Sequence, residues 1–300
     1  MSHFFDSKGL PAARSDPAAV SRGSIPDKID KTLLDQLPSE EVRLHPGLRI
    51  VLHTNPMSPG ADRFRYLRMC LRELAHAGKL KSLLITSPLP QDGKSTVTLN
   101  LATALAESGR RSVLVIEADL HRPTLVEQLG LEMWQGLSEC LANGVNPISS
   151  VRRLDPLGWY LLPAGEPQEN PTELLQTEAL GKVIQRVSQH FDWVIIDSPP
   201  VMPLTDSLSL ARQADATLLV ARAGRTPDNT IERSIALLGR QRVLGILLNA
   251  VENLEKVYSG YNGYYGNYGY SQSRGQKLIG PLATQRKILV KPSVFDSKDT

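Results

Sequence analysis

The sequence predicts an α/β fold, a doubly wound and mainly parallel sheet with helices on both faces. Short, continuous apolar runs recur along the chain and are separated by stretches with helical periodicity. Strands buried on both faces have such continuous runs, whereas half-exposed antiparallel strands alternate. Several runs also end in acidic or polar residues, and ligands of an open α/β sheet bind beyond the carboxyl ends of its strands. The chemistry is therefore expected at that edge.

The predicted elements follow one another in chain order. Strands are expected at residues 82–87, 112–118, 159–165, 192–197, 216–221 and 243–250. A helix from Lys94 to Ser108 follows the first strand and ends at Gly109, a residue type that favours helix C-termini. A later helix opens at NPTELL, where Asn170 is expected to cap and Pro171 fits the first turn.

Composition divides the chain into five regions. Residues 1–47 are rich in Pro, Ser, Ala and Asp and are expected to be disordered, and residues 48–79 form a linker with a basic helix. Residues 80–253 form the α/β domain, residues 254–270 are rich in Tyr and Gly, and residues 271–300 form a basic flexible tail. Within the first region, only a short helix around Asp27–Leu37 is expected.

Charge and cysteine usage exclude several classes of protein. The 34 Lys and Arg residues nearly balance the 31 Asp and Glu residues, so no global field favours nucleic acid. Cys70 and Cys140 lie far apart without metal-ligand spacing, which indicates reduced thiols, no disulfide and no zinc site. No apolar run approaches the roughly 20 residues that span a bilayer. A cytoplasmic protein is expected, and any role at a membrane requires a partner.

A loop with phosphate-binding character follows the first strand, in SPLPQDGKST at residues 87–96. Its end, Gly93-Lys94-Ser95, can place backbone N–H groups at a helix N-terminus, a lysine on phosphate oxygens and a hydroxyl on magnesium. The usual glycine at the start of such a loop is replaced by Pro88, which has no N–H to donate. By itself, this match is compatible with chance.

Acidic residues end two further predicted strands. Glu117 and Asp119 lie in VIEADLHRP, and Asp197 lies in FDWVIIDSPP. Phosphoryl transfer requires magnesium near the phosphates and a carboxylate that orients the attacking hydroxyl or takes its proton. Asp197 is also compatible with a helix cap before Pro199 and Pro200. Because all three motifs end buried strands, a nucleotide site is the favoured interpretation.

The three motifs together resemble the Walker A, A′ and B motifs of bacterial tyrosine kinases, the capsular and exopolysaccharide kinases related to MinD- and ParA-like P-loop ATPases. The resemblance covers roughly residues 48–251 and includes LLPAGEPQENPTELL (161–175) and LGILLNAV (244–251). It implies a P-loop NTPase fold with a deviant Walker A motif. It also implies an ATP-dependent protein-tyrosine autokinase with ATP and Mg²⁺ as cofactors.

The resemblance assigns roles to individual residues. The implied catalytic residues are Lys94, Asp119 and Asp197. Nucleotide binding is implied for Gln91, Asp92, Gly93, Lys94, Ser95, Thr96 and Asn249, and metal binding for Ser95, Glu117, Asp119 and Asp197. Gln91 stands where the family has a glycine that lets phosphate approach the backbone, and Glu117 replaces the more usual aspartate.

Tyrosine and glycine dominate the segment YSGYNGYYGNYGY at residues 258–270, which holds six of the chain's eight tyrosines. No Val, Ile, Leu or Phe intervenes to pack these rings. The resemblance implies that neighbouring subunits phosphorylate them in trans. The candidate sites are Tyr258, Tyr261, Tyr264, Tyr265, Tyr268 and Tyr270. A chemically idle low-complexity tail is the alternative.

The basic helix around DRFRYLRMCLR, residues 62–72, resembles the helix that packs subunits of this family into a ring. Asp62, Arg65 and Arg68 occupy the matching positions. A solvated basic face is the alternative, since surface charges usually contribute little.

The family's biology implies control of exopolysaccharide or capsule synthesis and export. The implied partners are a separate transmembrane polysaccharide co-polymerase that acts as chain-length activator, a cognate tyrosine phosphatase and further copies of this chain. The activator is expected to recruit the protein to the inner face of the membrane.

Two other functions stay open. A MinD- or ParA-like ATPase carries a signature lysine four residues before the loop glycine, where this chain has Leu89, and the C-terminal region offers no long amphipathic membrane helix. A degenerate scaffold that binds nucleotide weakly is compatible with Pro88, Gln91 and Glu117. Nucleotide binding without turnover distinguishes the scaffold from the kinase.

Overall fold

A computed structural model of the chain describes residues 31–76, 80–107, 109, 111–203 and 205–251, and the backbone of residues 289–292. The tyrosine segment at residues 258–270 lies outside the described residues, as do residues 1–30. No helix within the described ranges is both long and apolar enough to cross a bilayer.

Nine strands of the described part of the chain form one sheet. They are β1 (Ser39–Glu41), β2 (Ser82–Thr86), β3 (Val113–Glu117), β4 (Arg152–Asp155), β5 (Trp159–Leu162), β6 (Trp193–Asp197), β7 (Ala216–Arg222), β8 (Val243–Asn249) and β9 (Leu289–Pro292). Their order across the sheet is β1-β4-β5-β3-β6-β2-β7-β8-β9. Neighbouring strands are parallel, except in the pairs β4–β5 and β8–β9. The predicted mainly parallel sheet is confirmed.

Helices cover both faces of this sheet. They are α1 (Lys31–Asp35), α2 (Val51–Thr54), α3 (Pro59–His76), α4 (Lys94–Ala106), α5 (Leu125–Gln128), α6 (Leu137–Asn143), α7 (Pro171–Gln176), α8 (Glu178–Ser188), α9 (Asp206–Gln213) and α10 (Asp228–Leu238), with 3-10 turns at Pro46–Leu48, Pro147–Ser150 and Arg240–Arg242. One apolar core joins one face of the sheet to α3, α4 and α5, and a second joins the other face to α6, α8, α9 and α10. The sheet is therefore doubly wound.

The six strands expected from apolar runs are β2, β3, β5, β6, β7 and β8. Strands β1 and β4 were not expected, because their sequences, SEE and RRLD, are short and polar. The helix at NPTELL is α7, with Pro171 as its first residue. The Asn170 side chain makes no capping hydrogen bond, so that detail of the prediction is wrong.

Parts of both expected tails have regular structure. Helix α1 lies within the short helix expected around Asp27–Leu37, whereas β1, in the segment expected to be disordered, was not expected. Leu34 and Val42 are buried in the two cores, and the Val42 N–H donates to the Asp155 carbonyl at 2.7 Å. Burial of these apolar side chains stabilises the segment. In the basic tail, the backbone of β9 pairs with β8, so residues 289–292 have regular structure.

The topology brings the three predicted motifs together. Strands β3, β6 and β2 are consecutive and parallel, and every residue in each of them is buried. In register, Asp197 at the end of β6 lies beside Glu117 of β3 and Ile85 of β2. The carboxyl ends of these strands therefore meet at one edge, where the loop from β2 to α4 also lies.

Candidate functional site

The loop between β2 and α4 has the shape of a phosphate-binding loop. Gly93 adopts a left-handed φ of 99° and precedes α4, whose first N–H groups have no partner within the helix. A Cβ atom at Gly93 would stand 2.0 Å from the Asn249 Nδ2 atom, so only glycine fits here. The positive end of the helix and its N–H groups favour a bound anion at this point.

Two residues outside the loop, Asn249 and Thr226, hold it in place through Asp92. The Asn249 amide donates to the Asp92 carbonyl at 2.9 Å, and the Ala250 N–H donates to the Asn249 side-chain oxygen at 2.9 Å. The buried Asp92 carboxylate accepts from the Leu89 N–H at 3.0 Å and from the Thr226 hydroxyl at 2.8 Å. Burial raises the pKa of Asp92. Asn249 and Thr226 therefore shape the loop through Asp92, and the contribution of Thr226 was not expected from the sequence.

Gln91 takes a conformation that glycine adopts more easily. Its φ is 66°, in the left-handed region. Two arginines contact it, Arg222 at the end of β7 and Arg225 just after it: the Arg222 guanidinium approaches the Gln91 carbonyl at 3.5 Å, and that of Arg225 donates to the Gln91 side-chain oxygen at 3.3 Å. The loop keeps its shape without the family's glycine because neighbouring residues hold this turn.

Lys94 lies among carboxylates at the ends of β3 and β6. Its Nζ atom is 3.0 Å from an Asp119 oxygen, 3.9 Å from an Asp197 oxygen and 3.3 Å from the Ser95 hydroxyl. Burial lowers the pKa of Lys94, but the charges of Asp197 and Asp119 outweigh it and the pKa is raised. The ammonium group is therefore charged and sits between the two acidic motifs.

Asp197 is held by two hydroxyl groups of α4. The Ser95 hydroxyl donates to one carboxylate oxygen at 2.8 Å and the Thr98 hydroxyl to the other at 2.9 Å. Asp197 is only 1% exposed, and this burial raises its pKa although Lys94 lowers it. The sequence indicated Ser95 but not Thr98. Thr96 lies half-buried on the first turn of the same helix.

Glu117, at the end of β3, binds three backbone amides of its own chain. One of its carboxylate oxygens accepts from the Thr124 and Leu125 N–H groups at 2.7 and 2.6 Å, and the other accepts from the Ala164 N–H at 3.3 Å. The side chain is fully buried, which raises its pKa to about 7. Glu117 fixes the start of α5 to β3. Metal binding by Glu117 stays a prediction; in this structure its oxygens accept hydrogen bonds from backbone amides.

Asp119 contacts the Lys94 ammonium, two residues beyond Glu117. Its second oxygen accepts from the Arg122 N–H at 3.1 Å, which fixes the carboxylate on the loop after β3. No group of three or more His, Cys, Asp or Glu side chains in the described ranges forms a metal cage. Magnesium, however, is usually held by one or two carboxylates together with water and phosphate oxygens. Ser95, Asp197 and Asp119 match that smaller set of oxygen donors.

The predicted interface residues contact their own chain. Arg65 and Arg68 of α3 both form ion pairs with Glu107, which follows α4, and Arg65 also lies 3.2 Å from Asp62. Arg68 donates in addition to the Ala104 carbonyl at 2.9 Å. These pairs fix α3 to α4, a function that the sequence did not indicate.

The fold and the site define a P-loop nucleotide-binding domain whose Lys94 faces two acidic strand ends. The profile of an AAA domain family matches residues 92–226. YwqD, a tyrosine-protein kinase of Bacillus subtilis (strain 168), is 31% identical to this chain over 202 residues, which are 67% of this chain and 85% of YwqD. The chain therefore belongs to the bacterial tyrosine-protein kinase family, as the motifs predicted.

Other relatives are much longer than the matched region. Tyrosine-protein kinase ptk of Acinetobacter johnsonii is 32% identical over 200 residues, which are 66% of this chain and 27% of that protein. Likewise, the matched region spans 28% of tyrosine-protein kinase wzc of Salmonella typhimurium. Among solved structures, the BceF tyrosine kinase domain is 31% identical with a TM-score of 0.58, over 73% of this chain and 93% of that one.

Proposed function

We propose that this chain is an ATP-dependent protein-tyrosine kinase that phosphorylates the tyrosine segment of neighbouring copies. The observation that carries the proposal is the position of Lys94, which lies 3.0 Å from Asp119 and 3.9 Å from Asp197 at the ends of adjacent strands. The chain's place in the tyrosine-kinase family supports this reading of the site.

The loop fits the phosphates of ATP. We assign phosphate binding to the backbone of residues 93–96 and to the Lys94 ammonium, because a helix N-terminus and a lysine are the usual anion-binding groups. Gln91, Asp92 and Asn249 shape this loop through the contacts described above. The absence of a side chain at Gly93 leaves room for the Asn249 amide that supports the loop.

Ser95, Asp197 and Asp119 are the residues that we assign to Mg²⁺. Ser95 and Asp197 are already joined by a 2.8 Å hydrogen bond, so their oxygens lie on the same side of the site. When bound, Mg²⁺ neutralises charge on the phosphate oxygens. Thr98 keeps the Asp197 carboxylate in its orientation.

Asp119 is the group that we assign to the acceptor tyrosine. In the transfer, the phenol oxygen forms a bond to the γ-phosphorus, the bond from that phosphorus to ADP breaks, and the phenol proton requires an acceptor. A phenol has a pKa near 10 and is a weak nucleophile at neutral pH unless a carboxylate orients it. Asp119 is fixed by the Arg122 N–H and lies next to Lys94, so it is well placed to take this proton.

The proposed substrate is the segment at residues 258–270, whose six tyrosines are interspersed with four glycines. Glycine allows such a segment to enter the site of another copy. Each phosphate adds about −1.5 to −2 charges, so six add roughly −9 to −12. A change of that size can separate copies that contact one another through the α3 surface around Asp62, Arg65 and Arg68.

Control of polysaccharide synthesis and export is the biological role that we propose. A relative from Rhizobium meliloti (strain 1021), named succinoglycan biosynthesis transport protein ExoP, is 29% identical over 228 residues, which are 28% of its length. We propose that a separate transmembrane activator binds this chain at the inner face of the membrane and that a tyrosine phosphatase reverses the reaction. YwqD, matched over 85% of its length, is a relative of comparable size.

The test is incubation of the purified chain with Mg²⁺ and ATP, with and without a fragment of the activator, followed by phosphopeptide mapping. Phosphate on Tyr258–Tyr270 that is lost in Lys94→Met is the expected result. Nucleotide binding without phosphate on any tyrosine favours the scaffold instead. ATP hydrolysis without phosphotyrosine favours a MinD- or ParA-like ATPase.

A further inference from the structure

Three segments of the chain meet around the side chain of His121, beside the proposed transfer site. Its Nε2 atom lies 2.8 Å from a carboxylate oxygen of Asp206, the first residue of α9, and 3.2 Å from the hydroxyl of Thr172 in α7. These residues follow β3, β6 and β5, which are neighbours in the sheet. The mechanism proposed above uses none of the three.

The carboxylate of Asp206 is buried, and its contact with His121 is its main polar interaction. The side chain is 0% exposed, and its Oδ1 atom has no hydrogen-bond partner among the described residues. A buried carboxylate is costly unless it is paired. Its other oxygen binds His121, and this contact partly offsets the cost of burying the carboxylate. The contact also holds the imidazole in place.

The Asp206 bond determines which atom of His121 is available. A carboxylate only accepts hydrogen bonds, so the Nε2 atom carries the hydrogen and, in the neutral ring, Nδ1 is left as an acceptor. The His121 side chain is 30% exposed, which allows another molecule to reach it. A held imidazole with one accepting nitrogen can bind an N–H group.

The location of His121 relative to Lys94 indicates which molecule supplies the N–H group that His121 binds. The side of the loop that faces β7 is covered by Arg222, Arg225 and Thr226. The Lys94 ammonium points the other way, to the ends of β3 and β6. Because such a lysine binds the outermost phosphates, the acceptor approaches from the β3 side. The loop after β3 carries His121 two residues beyond Asp119.

We propose that His121, held by Asp206, is a positioning residue for the acceptor peptide and accepts a hydrogen bond from one of its N–H groups through Nδ1. This inference rests on the proposed function. The segment at residues 258–270 suits such a contact, because it contains no proline and its glycines leave the backbone N–H groups accessible. Asn262 and Asn267 supply further N–H donors.

Two substitutions separate this contact from a purely structural role. His121→Gln can keep a donor to Asp206 at the Nε2 position but removes the acceptor at Nδ1. His121→Asn keeps an oxygen acceptor near the Nδ1 position but loses the bond to Asp206. Their effects on peptide binding are therefore expected to differ, whereas a structural role would make His121→Asn the worse of the two.

The experiment measures transfer from ATP to a synthetic peptide of residues 258–270 by the full-length chain, with thermal unfolding as a check on folding. In His121→Gln, we expect the KM for peptide to rise about tenfold, the factor that corresponds to one hydrogen bond, with kcat and the KM for ATP changed less than about twofold. In His121→Asn, we expect a smaller rise in the peptide KM.

A peptide KM in His121→Gln equal to that of the wild type overturns the inference. If His121→Gln does not fold, His121→Ala carries the test, because it also removes the acceptor: a rise of about tenfold in the peptide KM supports the inference, and a peptide KM equal to that of the wild type overturns it. Failure of the wild type to phosphorylate any tyrosine while it binds ATP overturns the proposed function, and the inference with it. Loss of transfer with an unchanged peptide KM contradicts the inference alone.

Discussion

The Ser95 hydroxyl donates a 2.8 Å hydrogen bond to the Asp197 carboxylate and so joins the start of α4 to the end of β6. The two residues are 102 positions apart in the sequence. Because Lys94 precedes Ser95, this contact also holds the lysine of the phosphate-binding loop close to the acidic end of β6. The proposed chemistry depends on this junction.

Asp197→Asn is expected to separate activity from stability. Burial raises the pKa of Asp197, so its charge is unfavourable in the folded protein, and an amide of the same shape avoids that cost. We expect transfer to fall about 100-fold or more, since one magnesium ligand is lost, while the melting temperature stays unchanged or rises. Phosphotyrosine formation and thermal unfolding measure the two effects. A lower melting temperature with normal transfer would assign Asp197 a structural role.

Glu117→Gln and Asp119→Asn form a matched pair of substitutions on the same motif. Glu117 binds the Thr124 and Leu125 amides, whereas Asp119 contacts Lys94. We therefore expect Glu117→Gln to keep transfer within about threefold, and Asp119→Asn to reduce it about 100-fold. Initial rates at saturating ATP and Mg²⁺ measure both. Equal losses of transfer rate in the two variants would indicate that Glu117 also binds the metal.

Gly93→Ala is expected to abolish nucleotide binding. Its Cβ atom would stand 2.0 Å from the Asn249 amide, which holds the loop through Asp92. Gly144→Ala is the control, since Gly144 also has a left-handed φ, of 68°, but nothing lies within 4 Å of the added atom. Both variants carry the backbone cost of about 1 kcal/mol, and only Gly93→Ala adds the clash. Titration with a fluorescent ATP analogue compares them, and equal affinities would refute the role of this close contact.

Glu107→Gln is expected to weaken the contact between α3 and α4 in a pH-dependent way. Hydrogen bonds from Arg65, and then from Arg68, lower the pKa of Glu107 below its usual 4.5. A lowered folded-state pKa gives stability above the unfolded pKa, and that stability is lost as the pH falls through the folded value.

The wild type is thus expected to be more stable than Glu107→Gln at pH 7 by about 1 kcal/mol or less, because the group is partly exposed and screened. The difference should shrink as the pH falls below about 4.5. Urea unfolding at both pH values measures it. A difference that is constant from pH 7 to pH 3 would show that the carboxylate charge contributes nothing.

The sequence was sufficient for the central sheet and the family. Strands such as β3 and β6 are continuous apolar runs that end in an acidic residue, and this pattern can be recognised without tertiary information. Edge strands such as β1 and β4 were missed because they are short, polar and stabilised by pairing rather than by their own residues.

The site was harder to predict, because its supports come from distant parts of the chain. Thr226 binds Asp92 from 134 positions away, and Thr98 binds Asp197 from 99 positions away, with no local pattern to indicate either contact. Glu117 was expected at the metal because it ends a strand, yet nearby backbone amides bind its oxygens. The left-handed turn at Gln91 likewise depends on Arg222 and Arg225, which the motif does not contain.

The most direct test of the account is transfer between two defective chains. One chain carries Lys94→Met and keeps the six tyrosines of residues 258–270, and the other has an intact site with those tyrosines changed to phenylalanine. The mixture is incubated with Mg²⁺, ATP and the activator fragment, and the phosphate on each chain is mapped by mass spectrometry. We expect phosphotyrosine on the Lys94→Met chain in the mixture and none when that chain is incubated alone. A mixture that binds ATP but leaves residues 258–270 of the Lys94→Met chain unmodified would contradict the account.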